Sequence, residues 1–386
     1  MPASILADRL SAIEPFRVMA ILDRAKAMSA AGHNIVHLEV GEPDFPTATA
    51  VLDAARDALA GGDIHYAPSL GLPALRQAIS DFYRGDYGVE VDPGRIVITP
   101  GASGALLMVV ALLVNPGAGM LMTDPGYPCN RHFLRLVEGQ AQLVPTGPEE
   151  RYQLNLSLAA QHWRDNTVGV LAASPANPTG EILDREALAG LAQLCADRGG
   201  HLVVDEIYHG LTYGERAISV LELTDQAFVI NSFSKYFGMT GWRLGWLVAP
   251  EWAIEGLEKL AQNLFIASPT PSQCAALAAF SAPAREEFER RRGILGERRD
   301  YLLGELRRLG FGIPHAPAGA LYLYASIDAF GQRSEDFCRR LLEEQGVALT
   351  PGTDFGCYRS ERFVRFAYTT EMPRLQEAVA RLERFV

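Results

Sequence analysis

The chain has 386 residues, 48% of them hydrophobic and 21% charged, the balance of soluble globular proteins rather than disordered, fibrous or membrane-spanning ones. A formal net charge of −11 argues against nucleic acid as the main partner. At roughly 100–200 residues per domain, the length suggests two domains or one large domain with a smaller lobe.

At the N-terminus, Asp8 and Arg9 precede any apolar run, so no secretory leader is read there and a cytoplasmic protein is expected. An amphipathic helix is predicted over residues 18–31, followed by a short strand in IVHLEV. These pieces are too few for a domain of their own and are expected to join the C-terminal lobe. From Arg95 onward, short apolar runs alternate with turns and helical stretches: RIVIT before GASGALLMVVALL, GMLMT before DPGYP, VGVLAAS before PANPTG, then HLVVDE, AFVINSF and RLGWLVA. Such continuous apolar strands predict an α/β fold with a mostly parallel sheet covered on both faces. The apolar run at residues 105–114 falls short of the roughly 20 residues of a membrane span and reads as a buried helix. After Pro250 the texture changes to long helical segments, above all residues 283–309. Strands in ALYLYAS and RFVRFAY and a final helix over residues 373–386 then suggest a smaller α+β lobe. The five cysteines are scattered without a CxxC pair. They predict neither a metal site nor a redox motif but reduced, mostly buried thiols, and Cys129 with His132 reads as ordinary loop sequence.

Open α/β sheets deliver functional residues at the carboxyl ends of their strands. After RIVIT stands Pro100-Gly101-Ala102-Ser103-Gly104, where a helix N-terminus can bind phosphate; an ordinary strand-to-helix turn reads the same way. After HLVV stands the pair Asp205-Glu206, which should be buried and so needs partners. Asp205 suits a cationic group of a cofactor, such as a protonated pyridine nitrogen, or simply a helix cap. After AFVIN comes Ser232-Phe233-Ser234-Lys235. Lysine occurs only at Lys26, Lys235 and Lys259. Lys259 has Glu255 one helical turn before it, the usual solvated pair, and Lys26 lies on the early amphipathic helix. Only Lys235 sits at a strand end among hydroxyls, glycines and aromatics, where partial desolvation favours a nucleophilic amine. Tyr127, Asn177, Tyr208 and Arg243 stand at or just after other strand ends and complete a possible site.

Taken together, VGEPDFPT at residues 40–47, HYAPSLGLPALRQAI at 65–79, DPGYP, SPANPTG, DEIYHGLTY, SFSKYFGMTGWRLGW and FVRFAYTT resemble the class I/II aminotransferase family of fold-type I pyridoxal-phosphate enzymes, in the family's order and at about its spacing. The resemblance implies a seven-stranded, mostly parallel sheet in a large cofactor-binding domain over residues 46–280, and a small α+β domain formed by residues 1–45 and 281–386. It implies that Lys235 carries pyridoxal phosphate as a Schiff base and shuttles the substrate α-proton. Asp205 would keep the pyridine nitrogen protonated, Asn177 and Tyr208 would hydrogen-bond the phenolic oxygen, and Tyr127 would stack on the ring. Ala102 and Ser103 amides, the Ser103 and Ser232 hydroxyls and Arg243 would grip the phosphate. Tyr66, in the H-Y-x-P motif, would reach the partner subunit's phosphate, implying a homodimer with shared sites. Gly41, Asn177 and Arg365 would bind the substrate, Arg365 clamping its α-carboxylate.

Tyr127 stands where a tryptophan is often found in aspartate-using members, and Ser103 where one bacterial aspartate subgroup has lysine. The expected substrates are therefore a neutral amino acid with pyruvate or 2-oxoglutarate, although Arg17 could still read a distal acid. Two other outcomes share these residues: a carbon–sulfur β-lyase, and a non-catalytic regulatory protein of the same fold. The presence of Lys235, Asp205 and Arg365 together with the short N-terminal segment weighs against the latter.

Overall fold

A computed structural model describes residues 6–15 and 17–386; residues 1–5 and 16 of the expected N-terminal contribution to the small lobe lie outside the described residues. In chain order the strands are β1 (Val36–His37), β2 (Ile96–Thr99), β3 (Gly119–Asp124), β4 (Gln140–Pro145), β5 (Thr167–Ala173) and β6 (His201–Asp205). They continue with β7 (Phe228–Ser232), β8 (Gly245–Val248), β9 (Tyr322–Ser326), β10 (Val347–Ala348), β11 (Thr350–Pro351) and β12 (Phe363–Ala367). The central sheet has seven strands in the order β2-β8-β7-β6-β5-β3-β4. Only β8 runs against its neighbours, pairing antiparallel with both β2 and β7. The expected α/β class with a mostly parallel sheet is therefore what forms. The cause is legible in composition: β2, β7 and β8 are buried at every residue, which requires cover on both faces.

The apolar run beginning at Gly101 forms the buried helix Gly101–Leu113 directly after β2. The predicted helices at 18–31, 283–309 and 373–386 appear as Arg17–Ala30, Ala282–Arg308 and Met372–Phe385. IVHLEV, in contrast, is a ladder for only two residues, pairing in parallel with β10. Its later polar groups go elsewhere: the Glu39 carbonyl accepts from the Thr350 hydroxyl and from Arg365, and the Val40 carbonyl from the Thr369 hydroxyl. A second, antiparallel sheet has the order β11-β12-β9. Edge strand β4 has no clear mark in the sequence, because QAQLVP lacks an apolar run and leaves Gln140 and Pro145 exposed.

The five cysteines are free thiols, but only Cys195 and Cys338 are buried, and Cys357 is exposed, so the expectation of mostly buried thiols is corrected. Among the described residues no cluster of His, Cys, Asp or Glu is arranged to hold a metal, and no helix is long and apolar enough to cross a membrane.

Candidate active site

The carboxyl ends of β2, β5, β6 and β7 open into a cavity of about 550 Å³. From the sheet side come Ala102 and Ser103 at the head of helix Gly101–Leu113, Asn177 after β5, Asp205 and Tyr208 at and after β6, Ser232 and Lys235 at and after β7, and Arg243 before β8. Tyr127 follows β3. Across the cavity stand Gly41 and, from the middle of β12, Arg365. Eleven of the twelve residues singled out from sequence thus meet in one place. The twelfth, Tyr66, is 82% exposed and off the lining.

Lys235 Nζ donates to the Gly41 carbonyl at 2.8 Å. Lys26 is exposed, and the exposed Lys259 pairs with Glu255 at 2.5 Å, as helix spacing predicts. Asp205 is buried and accepts one hydrogen bond, from the Ile207 amide at 3.1 Å. Burial pushes its carboxyl up to about 7, against which the Lys235 charge acts in the opposite direction. Glu206 faces the other way, as strand geometry requires of the next residue. Its Oε1 accepts from the Val220 amide at 2.9 Å and the Ser219 hydroxyl at 3.1 Å, and burial pushes it up to about 8. Of the acidic pair, one carboxyl serves the cavity and the other ties down a loop.

The phosphate-type corner is shaped by close approach. Gly101 has a φ of +73°, and a Cβ there would lie 2.7 Å from the Arg243 guanidinium. Arg243 is itself left-handed (φ 53°), and its Nη1 donates to the Thr240 carbonyl at 3.0 Å. The Ser232 hydroxyl lies 2.9 Å from that of Ser234 and 3.1 Å from the Leu244 carbonyl, so it also braces the hairpin that presents Lys235.

Arg365 is buried with Nη1 on Asn177 Oδ1 at 2.8 Å and Nη2 on the Glu39 carbonyl at 2.5 Å. Its guanidinium lies over the rings of Tyr322 at 4.1 Å and Phe355 at 4.7 Å, and its buried Nε has no partner.

A model of the family described as aminotransferase class I and II matches residues 33–382. The chain belongs to this family. It is 36% identical over 373 residues to the valine–pyruvate aminotransferase of Mycobacterium tuberculosis, covering 96% of each chain. It is 33% identical to the aspartate aminotransferase of Geobacillus stearothermophilus, over 99% of this chain and 98% of that one. Among solved structures, an aminotransferase from Mycobacterium tuberculosis superposes with a TM-score of 0.96 at 35% identity over 99% of both chains. The Thermus thermophilus aspartate aminotransferase with maleate gives 0.94 at 32% identity, again over 99% of both. The protein is thus a fold-type I aminotransferase, an enzyme of amino-group transfer.

Several residues of this aminotransferase cavity have no site role legible in the sequence: Val18, Met19, Glu42, Leu106, Ile207 and Tyr322 all line it. Tyr322 lies in ALYLYAS, which reads only as a strand. Arg17, considered for a distal acid, is off the lining, and its guanidinium bonds Glu335 and Thr353 instead. The segment 40–47 is a strap that borders the cavity through Val40, Gly41 and Glu42 and is pinned at several points. Asp44 receives both Arg298 terminal nitrogens at 2.8 and 3.1 Å, and the guanidinium groups of Arg291 and Arg298 lie 5.3 and 5.1 Å from the Phe45 ring centre. Those arginines, seven residues apart on helix Ala282–Arg308, are two turns apart on one face.

Proposed function

We propose that the cavity holds pyridoxal 5'-phosphate on Lys235 and transfers the amino group of a neutral amino acid to a 2-oxo acid in two alternating half-reactions. The observation that carries this reading is the meeting of one partly buried lysine with a buried carboxyl and a buried guanidinium in a single cavity. The donor set fits the cofactor. Asp205, costly to bury as an anion, suits a protonated ring nitrogen; the corner of Ala102, Ser103, Ser232 and Arg243 suits a phosphate dianion; Asn177 and Tyr208 suit a phenolic oxygen; the Tyr127 ring suits a flat heterocycle. When bound, the cofactor supplies an electron-withdrawing ring that takes up the electron pair left by the α-proton.

The chain's own groups do the rest. Arg365 binds the α-carboxylate beside Gly41 and Asn177 and so fixes which bond at the α-carbon faces Lys235. The Lys235 amine takes the α-proton there and returns it to the cofactor side, acting as base and then acid. The strap and the first helix border the cavity around the Lys235 amine through Glu42, Val18 and Met19.

For the side chain of the substrate, Val18, Met19, Leu106 and Ile207 offer apolar contact, while every basic residue on the lining already has a role. That favours a neutral donor, such as the valine named for the Mycobacterium tuberculosis relative. We further assign residues 46–280 to a large domain and residues 1–45 with 281–386 to a small one, supported by the pairing of β1 with β10. Exposed Tyr66 is assigned to the partner's phosphate in a cytoplasmic homodimer, where five free thiols suit a reducing compartment.

The test is the visible absorbance of the purified protein with pyridoxal phosphate, before and after single amino acids without any oxo acid. Bleaching by neutral amino acids, restored by pyruvate or 2-oxoglutarate, is expected. Release of ammonia and a 2-oxo acid with no acceptor present would replace transfer by β-elimination, and bleaching by aspartate alone would overturn the neutral donor.

A further inference from the structure

Tyr322, unmarked in the sequence, is where three parts of the cavity converge. Its hydroxyl lies 2.8 Å from that of Tyr208, with the two rings edge to face at 5.9 Å. Its ring carries the Arg365 guanidinium at 4.1 Å. A side chain on Gly41 would collide with the same hydroxyl, so the strap reaches the cavity floor only because residue 41 is glycine. Both tyrosines are buried, Tyr322 at 2% exposure and Tyr208 at 4%. The other titratable groups about the pair are Asp205 and Lys235 near Tyr208, and Tyr127 and Tyr368 near Tyr322.

A tyrosine hydroxyl has one hydrogen to donate. If Tyr208 spends its hydrogen on the cofactor's phenolic oxygen, the proton on the 2.8 Å bond must come from Tyr322. We infer that Tyr322 is a positioning residue with two separable parts: its hydroxyl donates to Tyr208 and thereby aims the Tyr208 hydrogen into the cavity, and its ring bears the α-carboxylate clamp Arg365. The inference rests on the reading of Tyr208 and Arg365 given above. A donor behind Tyr208 strengthens its own donation by polarising the hydroxyl, a cooperative gain of the order of 10–30% per bond. A guanidinium held over a ring in a dry site is supported there without spending a further hydrogen: Nη1 and Nη2 bond Asn177 and the Glu39 carbonyl, and the buried Nε–H has no partner.

The two parts are tested with two substitutions and two readouts, neither of which is turnover. In Tyr322→Phe the pH midpoint of the visible colour change of the protein loaded with pyridoxal phosphate should rise by roughly 0.1–0.7 of a pH unit, because a weaker donor at the phenolic oxygen stabilises its anion less. The dissociation constant for isovalerate, a carboxylate with no amino group to exchange, should stay within about twofold because the ring remains. In Tyr322→Leu that constant should rise roughly threefold to thirtyfold. A midpoint in Tyr322→Phe that is unchanged or lower overturns the hydroxyl part, and unchanged isovalerate binding in Tyr322→Leu overturns the ring part. Should the leucine variant fail to fold, a large loss of isovalerate binding in Tyr322→Phe alone would equally overturn the division of labour. Tyr208→Phe and Arg365→Lys are the controls. If Tyr208→Phe does not move the midpoint, or Arg365→Lys does not weaken isovalerate, the reading of the site has failed; if both controls respond and Tyr322 does not, only this inference has.

Discussion

On one side of the cavity Asp205, Ser232 and the turn at Gly101 stand at the ends of strands buried within the central sheet, whereas on the other side Gly41 and Arg365 hang on segments from the two ends of the chain. The sheet wall is held by ladders and apolar packing. On the opposite wall Arg365 also stands in a ladder, that of β12, but the strap bearing Gly41 is held by separate polar contacts: Lys235 on the Gly41 carbonyl, Arg298 on Asp44, Thr369 on the Val40 carbonyl and Arg365 on the Glu39 carbonyl. A wall made of ladders is prebuilt for a resident group, while a strap held by a few polar bonds can adjust as substrates alternate.

Breaking each wall should therefore give different symptoms. Lys235→Ala should lower turnover by about a thousandfold or more, the scale of a lost acid–base group, yet leave pyridoxal phosphate bound through the phosphate corner. Normal turnover in that variant would remove Lys235 from the chemistry. On the other wall, Arg365→Lys keeps the charge but loses the planar fork, so KM for the amino donor should rise roughly tenfold to a hundredfold while kcat changes less. A fall in kcat with KM unchanged would contradict a clamp acting in the ground state. A smaller effect is expected from Phe45→Leu, which removes the ring that Arg291 and Arg298 grip: KM about threefold to tenfold higher, with cofactor affinity unchanged. Equal loss of cofactor affinity would show that the strap and the sheet wall are not separable.

The smallest effect is on stability. Asp205 and Glu206 bind protons more tightly in the folded chain, at about 7 and 8 against ordinary values of 3.8 and 4.5. The folded state therefore holds more protons than the unfolded one between those values, and this contribution to stability falls as pH rises from about 4 to about 8. In the cofactor-free protein Asp205→Asn should flatten the part of the decline below about pH 7, read as Tm against pH. An Asn variant with an undiminished slope would mean that Asp205 ionises freely when folded.

How much of this was legible follows the same division. The strand-end residues announce themselves, because each apolar run ends in a polar residue that burial makes conspicuous, and three lysines leave little choice of nucleophile. The opposite wall has no such local mark. Tyr322 meets Tyr208 across 114 residues and Gly41 meets Lys235 across 194, contacts that only the assembled fold creates. Gly41 and Arg365 are marked by motif resemblance alone. Arg17 misled because a free arginine in sequence is a candidate ligand, while in the fold Glu335 and Thr353 already occupy it.

The most direct test of the central claim is to reduce the protein loaded with pyridoxal phosphate with borohydride, digest it and locate the attached group by mass spectrometry. The account predicts the label on the peptide containing Lys235 and its loss when the protein is first incubated with a neutral amino acid. A label on Lys26 or Lys259, or none at all, would contradict it.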